Sequence, residues 1–257
     1  MFDSIGLIGA GRIAQIMLGG WKRAGVKLPP LLVCDSSSEA LAALQAEFPE
    51  VRAASLLQLA DQSLIFVGLH PPVMADALTQ LAGHLRRDSV LCSLAPKFYL
   101  TTLQEKLGGF ARLARMNPNA ASIVGKGYNP IAFADGLPQQ SRKDLLDLIA
   151  PLGQSPIVAD ESIETYAAIS AMGPTYFWFQ FDALRQLAES FGLNPQAARE
   201  ALAAMLHGAV DTMFASDLPP ERVMDLVPVR PMAGAEQAIL QMQRESVSAI
   251  HAKLHAL

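Results

Sequence analysis

Short unbroken apolar runs punctuate the first half of the chain: Ile5-Gly6-Leu7-Ile8, Leu31-Leu32-Val33-Cys34, Val51-Arg52-Ala53, the stretch from Ser63 to Leu69, Val90 to Leu94, and Ala111 to Arg115. Runs of this length, rich in β-branched residues and bounded by turn formers, predict parallel strands covered on both faces. Between them, apolar residues recur at helical spacing from Arg12 to Ala24, from a serine-rich N-cap at Ser36-Ser37-Ser38 to about Phe48, after His70-Pro71-Pro72, and from Thr101 to Leu107. Strands alternating with helices in this way give an α/β fold with a doubly wound parallel sheet. A last strand pair is expected near Tyr128–Phe133 and Ser155–Val158, flanking a helix over Gln140–Leu152. Beyond Asp160 the pattern turns wholly helical. One helix is predicted from Glu161 to Phe191, kinked where Pro174 lacks a donor, and a second starts at Asn194-Pro195 with Ala198, Ala201, Leu202, Met205, Ala209 and Met213 on one face. A third runs from Ala233 to the end. The expected division is thus 1–160 for the sheet domain and 161–257 for an all-helical domain.

The first strand turns through Gly9-Ala10-Gly11-Arg12-Ile13-Ala14, a G-x-G-x-x-A sequence. Gly9 permits the tight turn, Gly11 lets the backbone approach a pyrophosphate, and Ala14 lets helix and strand pack closely; this is the fingerprint of a Rossmann dinucleotide-binding domain. The N–H groups of Arg12 and Ile13 at the helix start would face the phosphates. Asp35 ends the second strand, near the spacing of roughly 20 residues expected for the acid that holds the adenosine ribose, with Ser36 beside it. Ligands of such sheets lie outside the carboxyl ends of the strands, so the loops at Gly9–Arg12, Asp35–Ser38, Leu69–Pro72, Leu94–Lys97 and Met116–Ser122 should share one cleft. His70 and Pro71 then border the cofactor, and Lys97 stands where a proton donor to a carbonyl would belong.

Composition adds a few constraints. Hydrophobic residues make up 51% of the chain and charged residues 17%, which excludes disorder and points to surface hidden between subunits. A net charge of −4 without a basic run argues against nucleic acid or an anionic membrane as partner. Every apolar stretch is interrupted before about 18 residues, so no membrane helix is expected, and the N-terminus leads straight into the first strand without a signal peptide. Cys34 and Cys92, both within predicted strands, suit a reducing cytoplasm, and the five histidines show no metal-ligand spacing. Six of the ten methionines lie beyond residue 165, as suits a helical domain that dimerises.

With these landmarks placed, the chain resembles the pyrroline-5-carboxylate reductase family. His70-Pro71-Pro72 stands where that family has a Lys-Pro step. Arg115-Met116-Asn117-Pro118-Asn119-Ala120-Ala121 is similar to its R-V-M-P-N-T-P loop, keeping Pro118 and Asn119 without the following Thr-Pro. Ala168 to Tyr176 resembles its A-L-S-G-S-G-P-A-Y, keeping Ser170, Gly173, Pro174 and Tyr176. The resemblance implies a Rossmann domain, a helical domain that forms an intertwined homodimer and completes the site, and reduction of a small cyclic imino acid to proline with NADP or NAD. One signature departs: the family's V-T-S-P-G-G-T-T segment, whose hydroxyls and N–H groups hold the substrate carboxylate, is replaced by Val227 to Glu236, bringing in Arg230 and Glu236.

A protonated imine is already electrophilic, so such an enzyme mainly positions the nicotinamide against the imine carbon and excludes water. The resemblance makes Asn119, Ser170, Thr175 and Tyr176 candidate reaction-site residues, with Asn119 also at the cofactor; Lys97 joins them from its place at a strand end, where the family usually lacks a lysine. The resemblance places Gly173, Pro174, Arg230 and Glu236 at the substrate. Two other readings stand beside this one: a related oxidoreductase acting on another imine or carbonyl, and a silent dinucleotide-binding protein. For the cofactor, the Asp35 carboxylate favours NAD, because it accepts from ribose hydroxyls and repels a 2′-phosphate, whereas the family often uses NADP. Asp35→Ala is accordingly expected to weaken NADH binding more than NADPH binding in a fluorescence titration; the reverse ranking would remove Asp35 as a selector for NAD.

Overall fold

The computed structural model describes residues 1–256. Its central sheet has seven strands. In chain order they are β1 (Ile5–Ile8), β2 (Leu31–Cys34), β3 (Val51–Ala53), β4 (Leu64–Val67), β5 (Val90–Ser93) and β6 (Leu113–Met116), with β8 (Ile131–Phe133) at one edge; β7 (Gly127–Tyr128) and β9 (Gly153–Gln154) form a separate small pair. The spatial order is β3-β2-β1-β4-β5-β6-β8, parallel except for β8, which runs antiparallel to β6. The chain therefore leaves β1 in one direction to build β2 and β3, then crosses back to β4. That reversal opens a crevice at the C-terminal ends of the strands.

Pleating sends alternate residues to opposite faces, and the core divides accordingly. Ile5, Leu7, Leu64, Phe66, Val90 and Cys92 point to the face covered by helix Arg12–Arg23 and helix Gln139–Ile149. Ile8, Ile65, Val67 and Leu91 point to the other, covered by Leu56–Leu59, Pro71–Leu81 and Leu100–Lys106. Fully buried Trp21 anchors the first face, its Nε1 donating to the Leu148 carbonyl at 2.9 Å. Burying so large a ring requires a partner for its one donor.

The sheet domain follows the hydrophobic pattern except at its end. The pairing expected of Ser155–Val158 is made two residues earlier by Gly153–Gln154 against β7, and Ile157 contributes only an isolated bridge to Ile131. Pro156 removes a ladder donor from that run. Further on, the single kinked helix expected over Glu161–Phe191 is a succession of short pieces: a 3₁₀ turn at Asp160–Ser162, an α-turn at Ile163–Tyr166, a π-turn at Ala167–Ala171, a 3₁₀ turn at Gly173–Tyr176, and an α-helix only from Trp178 to Ser190. Pro174 breaks the ladder, and the wide π-turn before it is held from outside by a side chain described below.

The chain forms two compact units, one comprising Met1–Met172 together with the stretch from Ile250, the other Gly173–Ala249. These compact units part after Met172. Residues 160–172 stay with the sheet because Arg115 grips Asp160 and Glu164, and Leu254 packs on Ala167 and Ala168. In the second unit, helix Trp178–Ser190 packs on Pro195–Ala215, followed by a short helix, Pro220–Met224, and the main part of Glu236–His255. Of the face expected on Pro195–Ala215, only Ala198 is buried within the chain. Phe179, Phe191 and Phe214 are 67%, 81% and 83% exposed, an apolar surface far beyond the scattered residues of a monomer.

Gly20 lies in the helix Arg12–Arg23, where a Cβ would meet the Ser122 carbonyl oxygen at 2.4 Å and Leu152 Cδ2 at 2.6 Å. Alanine would gain up to about 1 kcal/mol of helix propensity, but overpacking against backbone typically costs about 1–3 kcal/mol. Gly20→Ala is therefore expected to lower Tm by several degrees in a thermal melt, and an unchanged or raised Tm would show that this helix can shift.

Candidate active site

The C-terminal ends of β1, β4 and β5 lie side by side. Gly9 N donates to Cys34 O, Gly68 N to Ile8 O, and Leu94 N to Val67 O, each at 2.8–2.9 Å, carrying the sheet pairing into the first residue of each loop. Gly9 has φ +109°, and a Cβ there would stand 2.7 Å from the Gly68 carbonyl oxygen. Conformation and space both demand glycine at that point.

Gly11 follows as N-cap of helix Arg12–Arg23. A Cβ on Gly11 would meet nothing within 4 Å, no side chain caps the helix, and its first turn holds no acid. The leading N–H groups of Arg12 and Ile13 are thus left to an anion, with exposed Arg12 adding positive charge. A helix start that is uncapped, open in front and free of acids fits a pyrophosphate.

Asp35 is engaged within the fold. Its Oδ2 accepts from Ala10 N and its Oδ1 from Ser37 N, both at 2.7 Å, so the carboxylate ties the glycine turn to the end of β2. Lone pairs remain for ribose hydroxyls, since an ionised carboxylate offers about four acceptor sites. Replacing it would loosen the turn for either nucleotide, and the ratio of the two affinities is the quantity that reports selection. Ser36 is exposed beside it, and Ser37 caps helix Ser38–Glu47 through Ala40 N at 3.1 Å. His70 is exposed at the N-cap of helix Pro71–Leu81, without a side-chain cap bond, and Pro71 takes the first helical position.

Lys97 lies in the loop after β5 and is the one non-glycine with positive φ among the described residues, at +74°. A side chain in that conformation costs about 1–2 kcal/mol. Its N–H donates to Glu164 Oε1 at 2.9 Å and its Nζ to the Ala256 carbonyl at 2.9 Å.

Two of the expected reaction-site groups are engaged within the fold. The Asn119 side chain accepts from Ala121 N at 2.8 Å through Oδ1 and donates through Nδ2 to the Ser170 carbonyl. It is 5% exposed, closes its own turn and holds the π-turn at Ala167–Ala171. The Ser170 hydroxyl donates to the Tyr166 carbonyl at 2.8 Å, back-bonding along its own helix as serines within helices commonly do. What this segment offers instead is its irregular backbone.

The second unit carries the remaining candidates. Gly173 and Pro174 open the 3₁₀ turn, Thr175 is exposed, and Tyr176 is partly buried, with desolvation raising its hydroxyl pKa above the ordinary value. Arg230 pairs with Glu236 through Nη2 and Oε2 beside a cavity of about 330 Å³, which Glu221, Asp225, Val227 and Pro228 also line. Both partners are substantially exposed, so the pair adds little to stability and the guanidinium can exchange partners readily. A cavity of about 640 Å³ lies at the opposite end of the sheet, by Lys22, Lys27, Pro29 and Arg52. None of the motif residues lines it.

One cluster escaped the sequence reading. Arg115, only 1% exposed, donates from Nη1 to Asp160 Oδ1 at 2.5 Å and from Nη2 to fully buried Glu164, with Tyr99 stacked 5.1 Å away. Asp160 Oδ2 also accepts from Leu100 N at 2.7 Å. The signal was present: a lone arginine in a buried strand needs a buried acid, and Asp160 and Glu164 are spaced to share one helical face.

A family model described as NADP oxidoreductase coenzyme F420-dependent matches residues 4–97, and one described as pyrroline-5-carboxylate reductase dimerisation matches residues 160–255. The curated pyrroline-5-carboxylate reductase of Escherichia coli (strain K12) is 25% identical over 229 residues, covering 88% of this chain and 85% of its own. That of Mycobacterium leprae (strain TN) is 28% identical over 211 residues, covering 80% and 71%. Among solved structures, Plasmodium falciparum pyrroline carboxylate reductase with NADP bound shares the fold at a TM-score of 0.84 and 19% identity, covering 99% of this chain and 97% of that one. The Streptococcus pyogenes 1-pyrroline-5-carboxylate reductase does so at 0.81 and 20%, covering 99% and 98%.

Proposed function

We propose that the chain is a member of the pyrroline-5-carboxylate reductase family and reduces pyrroline-5-carboxylate to proline with NAD(P)H. The open, uncapped start of helix Arg12–Arg23 behind the Gly9–Gly11 turn is the observation that carries the cofactor half of this function. In the proposed roles, the N–H groups of Arg12 and Ile13 hold the pyrophosphate, Asp35 and Ser36 meet the adenosine ribose, and His70 and Pro71 border the cleft. A reduced nicotinamide held there would supply the hydride for the imine carbon. The chain's own residues then have three tasks: to orient the ring, to hold the substrate carboxylate, and to keep water out. Thr175 and Tyr176, with the backbone of Gly173 and Pro174, are assigned to the substrate, and Lys97 to an added cationic contact. Asn119 and Ser170 contribute by fixing the π-turn.

Arg230 is the proposed carboxylate clamp in place of the family's paired threonines. A guanidinium matches a carboxylate bidentately, and an incoming substrate would take it over from Glu236. The assembly is proposed to be a homodimer through the second unit, whose exposed apolar helices suit a second copy. Free Cys34 and Cys92 suit a reducing cytoplasm, and among the described residues no helix is long and apolar enough to cross a membrane. In functional terms the proposed domains remain 1–160 for the dinucleotide and 161–257 for substrate and dimerisation.

Dialysed protein titrated with NADPH and with NADH, then given saturating pyrroline-5-carboxylate, should bind at least one nucleotide and oxidise it. Binding without turnover would shift the assignment to another imine or carbonyl, or to a silent binder. No binding of either would overturn the dinucleotide site. Arg230→Ala should raise the KM for pyrroline-5-carboxylate about tenfold or more while leaving the cofactor KM near native, as loss of a uniform binding contact does; unchanged substrate kinetics would take Arg230 out of the site.

A further inference from the structure

The left-handed backbone of Lys97 requires a cause, since a strained residue persists only where its surroundings impose it. The cause is visible on three sides. The Lys97 N–H is held by Glu164 Oε1, the Leu100 N–H by Asp160 Oδ2, and both carboxylates are gathered by Arg115 from the end of β6. Arg115 and Glu164 are almost wholly buried, and within the described residues Arg115 Nε and Glu164 Oε2 have no protein partner. An ion pair that carries orphaned atoms and bends a neighbouring loop out of its preferred conformation is not optimised for stability alone.

The loop it bends is well placed to matter. A Cβ on Gly9 would touch the Gly68 carbonyl, and one on Gly68 would lie 3.8 Å from Leu94 Cδ1, so the 94–99 loop stands in line with the glycine turn across the C-terminal ends of β1, β4 and β5. We propose that Glu164, braced by Arg115, is a positioning residue that holds Lys97 in its left-handed turn and thereby sets the edge of the dinucleotide cleft. The inference rests on the cofactor binding proposed above. It assigns to buried charges in the 160–166 segment an effect on nucleotide affinity that they exert through the backbone of another loop.

The test is a double-mutant cycle read by fluorescence titration with NADPH. Glu164→Ala in the native background should raise the Kd about tenfold, because the loop relaxes; in a Lys97→Gly background, where the turn needs no clamp, the same change should alter Kd less than about twofold. Equal factors in both backgrounds, or no change in the native one, would overturn the proposal. Amide hydrogen exchange on the native protein provides an independent reading should Glu164→Ala fail to fold. The Lys97 and Leu100 amides should exchange at least about a hundredfold slower than unprotected peptide, and fast exchange at Lys97 would overturn the clamp. Failure of native protein to bind NADPH or NADH would instead sink the proposed function, with the exchange result still readable.

Discussion

The order of the sheet's functional edge depends on keeping one charge out of water. Arg115 is the penultimate residue of a strand whose other side chains are apolar, and its guanidinium lies near the C-terminal end of the sheet, only 1% exposed. Desolvating an ion costs several kcal/mol, and only closely fitted opposite charges return that amount. Asp160 and Glu164 supply them, and in doing so bring a segment from the end of the sheet domain against the loop after β5. Four pieces of chain far apart in sequence thereby share one electrostatic requirement: β6, the 94–100 loop, the 160–166 turns, and the C-terminal stretch that Lys97 touches. Apolar residues in these places could pack as well, but they would not fix the loop's backbone hydrogen by hydrogen.

The two units illustrate different ways of burying an apolar sequence. In the first, the pleat sorts side chains onto two faces and helices cover both, so the chain completes its own core. In the second, helices of similar apolarity bury little against one another, and aromatic residues stay in the open. Sequence periodicity is alike in the two cases. What differs is whether the covering layer lies in the same chain, which explains how a stripe of small and medium apolar residues on Pro195–Ala215 can be written clearly yet leave only Ala198 enclosed.

Legibility followed the range of the interactions. The strands, the glycine turn and Asp35 were readable because each rests on local spacing: runs of strand length, glycines two apart, an acid at the end of the next strand. The segment from Asp160 to Tyr176 was not, since a helical pattern of side chains says nothing of the π-turn that Asn119 imposes from some fifty positions earlier. For the same reason the bonds that Asn119 and Ser170 make to the backbone left no trace in the sequence pattern. Arg115 calls for a buried acid, but which acids answer it is set by the fold across more than forty positions and not by any periodicity. Arg230 and Glu236 were marked by their departure from the family pattern, and the structure brings the two side chains together.

The clasp made by Asp35 has a consequence for how this chain can change. A residue that only touched the adenosine ribose could drift freely between acidic and neutral types as the preferred nucleotide altered over generations. Here the two oxygens fasten Ala10 and Ser37, so that any replacement must find other acceptors for two backbone donors. Replacing Asp35 therefore carries an architectural cost, and a change of preference between the two nicotinamide dinucleotides meets less resistance at exposed Ser36.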